Sequence, residues 1–137
     1  MTANPLRVLF VEDFAPGAAL VRDALGRRAP EIRVEIVSTV AQAIERLNRA
    51  DADYDAVLTD LNLPDGLGLE IVSHVRGRRL ALAVVIVTGS VDDDTWQAAE
   101  DAGADGCVAK RGDYLARLPG ELHRAVQARR RSRRSFS

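Results

Sequence analysis

Short apolar runs separated by segments of helical periodicity constrain this chain more than any other feature. LRVLFV (6–11), apart from Arg7, AVLT (56–59) and ALAVVIVTG (81–89) are largely apolar at consecutive positions, so strands built from them need cover on both faces. IRVEIV (32–37) alternates, as a strand with a more exposed face does, and DGCVAK (105–110) supplies a fifth run. Between these runs lie five helical patterns. AALVRDALGRRA follows Pro16 and Gly17, and Pro16 suits a first helical turn. VAQAIERLNRA (40–50) follows Thr39, which stands in capping-box spacing with Gln42. LGLEIVSHVRG follows the turn signal NLPDG (62–66). Asp92, Asp93 and Asp94 open a fourth helix, where negative charge complements the N-terminus, and Gly103 stops it. A last helix is expected to start at Pro119, with Leu118, Leu122 and Val126 on one face. Parallel strands need crossovers of this length. The pattern therefore predicts an α/β fold, a doubly wound five-stranded parallel sheet with five alternating helices.

With 137 residues the chain reads as one domain with a real core, expected over residues 1–128. Residues 129–137 form an Arg-rich C-terminal tail, read as a helix end or a solvated linker. RRRSRR (129–134) holds five arginines. Outside it 14 basic residues face 20 acidic ones, a net −6. That acidic body argues against nucleic-acid binding. No apolar run approaches a membrane span, and the start shows no secretory pattern. The single cysteine, Cys107, excludes an internal disulfide and a cysteine-rich metal site. These features fit a cytoplasmic location. Cys107 is expected to be a small buried hydrophobe within the fifth strand.

In such sheets ligands bind beyond the carboxyl ends of the strands. Glu12 and Asp13 follow the first strand, and Asp60 ends the third. Thr88, Gly89 and Ser90 follow the fourth, and Lys110 follows the fifth. Lys110 is the only lysine beside eighteen arginines. A compact ammonium differs from a planar guanidinium fork, so the choice of lysine suggests a site needing one point charge. Converging carboxylates repel unless a cation neutralises them. An all-oxygen site favours Mg²⁺ or Mn²⁺ over zinc. Two cations beside an aspartate suit a phosphoryl group, and Asp60 is the natural nucleophile.

The segments VLFVED (8–13), VLTDLNLPDG (57–66), VVIVTGS (84–90) and GADGCVAK (103–110) resemble, in order and at the right element ends, the receiver domain of bacterial two-component response regulators. The similarity covers residues 6 to about 128 and implies a flavodoxin-like receiver fold. The resemblance implies that Asp60 accepts a phosphoryl group, normally from a phosphohistidine on a sensor histidine kinase or phosphotransfer protein. Asp13 would bind Mg²⁺ directly, Glu12 through water, and Asn62 through its backbone carbonyl. Thr88 would bond a phosphoryl oxygen and Lys110 would pair with it, while Leu61 and Gly89 would offer backbone contacts. Asn62 and Ser90 would flank the attacking water. Such a domain is a regulatory phosphoacceptor that phosphorylates and dephosphorylates itself. It would switch a partner-binding surface formed by the fourth helix, fifth strand and fifth helix, with a homodimer among the possible outcomes.

Two departures from the family pattern stand out. Cys107 occupies the position where the family usually has Tyr or Phe, and Arg111 and Gly112 follow Lys110 where Pro is common. The first departure makes a non-switching docking module the main rival reading. A flavin-binding domain is disfavoured because EDFAPG places two acids where the cofactor phosphate would sit. An aspartate phosphohydrolase would want its acid pair on the first strand.

Overall fold

The computed structural model describes residues 5–89 and 92–134, without the side chains of residues 133 and 134. Numbered in chain order, the sheet strands are β1 (Leu6–Val11), β2 (Ile32–Val37), β3 (Ala56–Asp60), β4 (Ala83–Thr88) and β5 (Gly106–Ala109). The helices are α1 (Ala15–Arg28), α2 (Val40–Leu47), α3 (Gly68–Gly77), α4 (Asp93–Ala102) and α5 (Tyr114–Arg134). The sheet order is β2-β1-β3-β4-β5, all parallel. The chain moves outward from β1 to β2 and then crosses to β3 on the other side. The strand order therefore reverses between β1 and β3, which opens a crevice at their carboxyl ends.

The two faces carry separate cores. Phe10, Leu58 and Val85 pack under Val21 and Leu25 of α1 and Leu118, Leu122 and Val126 of α5. Leu9, Val57 and Ile86 pack under Val40 and Leu47 of α2, Ile71 and Val75 of α3, and Ala99 of α4. Every residue of β4 is buried, as its unbroken apolar run requires of a strand covered on both faces. The half-exposed β2, whose sequence alternates, lies at the edge.

The helix ends follow local chemistry. Thr39 accepts the Gln42 N–H at 3.0 Å, and the Gln42 side chain accepts the Ser38 N–H at 2.8 Å. Asp92 caps α4 by accepting the Thr95 N–H at 2.7 Å, and Gly103 ends that helix at φ 102°. One expectation needs correction. The last helix starts at Tyr114, not Pro119, and Pro119 lies inside it. Proline there removes a helical hydrogen bond. The apolar stripe nevertheless continues upstream through Leu115, and Tyr114 and Leu115 pack against the α1–α5 core. Burial of that turn outweighs the local stop signal. Downstream, α5 continues without a break through residues 129–134.

The NLPDG segment forms a two-residue antiparallel ribbon, Asn62–Leu63 with Gly66–Leu67. Its Asp65 carboxylate accepts the Val40 N–H at 2.8 Å and the Ala41 N–H at 3.0 Å, so it caps α2 from a distant loop. Those two N–H groups, Ala41 first, hold the Asp65 carboxyl below its ordinary value of 3.8. A lowered folded value makes this contribution complete above pH 3.8 and lost as the pH falls through the folded value. Asp65→Asn should therefore melt below the wild type at neutral pH, and the two melting curves should converge in acid.

Candidate functional site

Three carboxylates meet at the crevice. Glu12 and Asp13 follow β1, and Asp60 closes β3. One carboxylate oxygen from each lies within 4.8 Å of the other two. Glu12 is buried at 5% exposure, Asp60 is partly buried and Asp13 is exposed. Lys110 follows β5 and reaches past β4. Its Nζ donates to Glu12 Oε1 at 2.9 Å and to Asp60 Oδ2 at 3.2 Å. The only lysine of the chain therefore bridges two of the three acids.

The electrostatics follow from that arrangement. Burial pushes the Glu12 carboxyl above its usual range, with Lys110 opposing the shift and the Asp60 charge reinforcing it. Burial alone would lower the Lys110 ammonium, but the hydrogen bond to Glu12 and the charges of Asp60 and Glu12 outweigh it and hold the value raised. Lys110 thus stays charged throughout the neutral range. One ammonium cannot balance three carboxylates. The surplus negative charge, the all-oxygen donors and the open side at Asp13 fit a hard divalent cation such as Mg²⁺ or Mn²⁺.

Glu12 is not a helix cap. It takes the Phe14 N–H only at a long 3.4 Å, and α1 has no side-chain cap. Its short contact goes to Lys110. Thr88 is fully buried at the end of β4, and its carbonyl accepts the Lys110 N–H at 2.8 Å, which fixes the root of the lysine. Leu61 is half-buried beside Asp60, while Asn62 and Gly89 are exposed at the rim. Ser90 lies outside the described residues. After Lys110, the Arg111 N–H bonds the Ala109 carbonyl at 2.9 Å, and Gly112 adopts φ 62°, a left-handed turn in place of the family's usual proline.

Gly68 is a site-supporting residue that sequence reasoning missed. A Cβ there would lie 2.3 Å from the Asp60 carbonyl oxygen. The Gly68 N–H donates to the Leu61 carbonyl at 2.7 Å. The start of α3 therefore presses directly on the backbone that carries Asp60. The second glycine of DGLG was the only local signal. Cys107 departs from its expected burial. It is half-buried, and its thiol is pushed up by desolvation. It lines an open cleft of about 500 Å³ shared with Trp96, Ala99, Arg111, Arg117 and Arg124, between α4 and α5.

The doubly wound sheet thus brings an acid trio and the one lysine together at its switch point. The sequence profile described as response regulator receiver domain matches residues 8–119. This chain belongs to that family. It is 35% identical over 105 residues to the two-component response regulator ORR42 of Oryza sativa subsp. japonica, covering 77% of this chain and 76% of that protein. It is 29% identical over 113 residues to the methanogenesis regulatory protein FilR1 of Methanothrix harundinacea, covering 82% of this chain but only 25% of that longer protein. A CheY-like receiver domain protein from Methanospirillum hungatei superposes with a TM-score of 0.80 at 20% identity, covering 94% of this chain and 99% of that one, which shows the fold. Among the described residues no helix is long and apolar enough to cross a membrane.

The surplus charge generates a prediction. Mg²⁺ should raise the thermal midpoint of the wild type, reflecting an added stability of about 2.7 kcal/mol at a hundredfold excess over its dissociation constant. Asp13→Asn should melt higher than the wild type in metal-free buffer, because one repelling carboxylate is gone, and should lose most of the Mg²⁺ response. Differential scanning calorimetry with and without Mg²⁺ reads both effects.

Proposed function

We propose that this chain is a phosphorylation-controlled switch in which Asp60 accepts a phosphoryl group from a phosphohistidine on a sensor histidine kinase or phosphotransfer protein. The observation that carries the reading is the contact of Lys110 Nζ with both Asp60 and Glu12 beside the exposed Asp13. In the transfer, an Asp60 oxygen attacks phosphorus, the phosphorus–nitrogen bond breaks, and the histidine leaves with the electron pair. Lys110 is placed to follow the charge that moves onto the new acyl phosphate, exchanging its Asp60 contact for a phosphoryl oxygen. Thr88 supplies a hydroxyl at the adjoining strand end, and Leu61 and Gly89 supply backbone N–H groups. Asp13, Asp60, the Asn62 carbonyl and, through water, Glu12 would hold a divalent cation. When bound, Mg²⁺ or Mn²⁺ supplies the second positive charge against the phosphoryl oxygens. Loss of the phosphoryl group is by water, from the same site, with Asn62 and Ser90 flanking its approach.

The regulatory unit spans residues 1–128, works in the cytoplasm and acts on no external substrate. Its output surface is formed by α4, β5 and α5. The cleft around Cys107 favours a second reading, a constitutive docking module, because position 107 itself carries no aromatic ring to swing inward. Unchanged α4 NMR shifts on adding beryllium fluoride with Mg²⁺ would support that reading.

Intact mass after incubation with acetyl phosphate tests the chemistry. The wild type should gain one phosphoryl group only with Mg²⁺, and Asp60→Asn should gain none. Absence of any gain in the wild type would overturn the phosphoacceptor role and leave the docking module.

A further inference from the structure

The net −6 outside the arginine run is not spread evenly. In a parallel α/β sheet, strand starts and helix ends share one pole, opposite the crevice. Acids cluster at the crevice pole: Glu12, Asp13, Asp60, Asp65, and Asp93 and Asp94 in the first turn of α4. Arginines gather at the other pole. Arg27 and Arg28 end α1, Arg33 begins β2, and Arg78 and Arg79 follow α3. These five are exposed and carry no ion pair among the described residues.

A hydrogen-bonded belt joins the arginines between them. Asp55, at the foot of β3, accepts the Arg7 N–H at 2.8 Å and Arg130 Nη2 at 3.0 Å. Asp105, at the foot of β5, accepts Arg129 Nη2 at 2.6 Å, Arg76 Nη2, and the Val84 N–H at 2.8 Å. The first two arginines of RRRSRR are therefore fastened across this pole rather than left as a solvated tail.

Helix-dipole complementarity accounts for Arg27 and Arg28. It does not account for Arg33, nor for Arg79. Arg79 sits at φ 55°, the left-handed position after α3 that glycine normally fills, with Leu80 N–H closing onto the Val75 carbonyl at 3.0 Å. Gly77 lies two residues earlier, where nothing crowds it. The chain thus places a guanidinium at this pole against backbone preference. At the same pole Tyr54 stacks under Arg7 at 5.1 Å, and the two line a shallow recess of about 210 Å³ with Arg33 and Glu35. Among the described residues, exposed acids at this pole without an arginine ion pair include Asp51, Asp53, Glu100 and Asp101.

We propose that this arginine pole is a nucleic-acid contact surface, bound through the phosphate backbone and lying opposite the phosphoacceptor. Five strands set about 4.8 Å apart give the sheet end a width of roughly 19 Å, a broad flat array of forks suited to several phosphates. The acidic crevice pole would face away from the polyanion, so a small negative net charge does not prevent binding. The inference does not depend on phosphorylation of Asp60.

Fluorescence anisotropy of a short labelled DNA duplex tests it, in about 50 mM salt, where non-specific binding is tighter than the roughly 1–100 µM dissociation constants of physiological salt. The full chain should bind, with log affinity falling linearly in log salt. R27E/R28E/R78E/R79E should weaken binding at least about tenfold and flatten the salt slope, while Arg22→Glu on mid-α1 should not. Should the quadruple variant misfold, Arg79→Gly decides the matter. It relieves the left-handed backbone, so the protein should melt higher yet bind more weakly. No anisotropy change at low salt, binding indifferent to these arginines, or displacement by poly-glutamate at matched charge would each overturn the proposal, the last in favour of an acidic protein partner.

Discussion

One ammonium organises the crevice. Lys110 Nζ lies 2.9 Å from a buried glutamate and 3.2 Å from Asp60, joining the ends of β1, β3 and β5 through a single charged group. The contact resolves only part of the repulsion among Glu12, Asp13 and Asp60. It leaves a site that is underneutralised and therefore ready to take another cation. An arginine would carry the same charge, but its planar fork is wider and more weakly hydrated. That difference gives physical meaning to a sequence that uses arginine eighteen times and lysine once.

The sheet makes this convergence possible. Parallel strands covered on both faces place all their carboxyl ends at one pole, and the order β2-β1-β3-β4-β5 opens the crevice beside β1 and β3. The Asp60 backbone is held from behind by Gly68 at the start of α3, where no side chain fits. The Asp65 carboxylate ties the same loop to the start of α2. Site geometry and loop geometry therefore share their supports.

The site was legible in the sequence because each of its charged residues directly follows or closes an apolar run, and a strand end can be read from such a run. Residues whose partners are remote were not legible in this way. Asp65 read as an ordinary turn acid, yet it caps a helix that begins 25 residues earlier. Pro119 looked like a helix start because the local preference for proline there is strong. Packing of Tyr114 and Leu115 extended the helix in front of it. Cys107 lies in a strand pattern, but β5 ends the sheet beside an open cleft, so its burial is only partial. The separation of charge between poles depends on which end of each element a residue occupies, and no total over the chain can reveal it.

The central claim is that Lys110 is a partly buried, charged ligand of the acidic site. The chain offers a direct measurement, since ¹⁵N-lysine labelling yields a single side-chain ammonium resonance. The account predicts a resonance protected from solvent exchange, titrating above the ordinary lysine value of 10.5, and moving when Mg²⁺ and beryllium fluoride are added. A rapidly exchanging signal at the free-lysine position, unmoved by either addition, would contradict it.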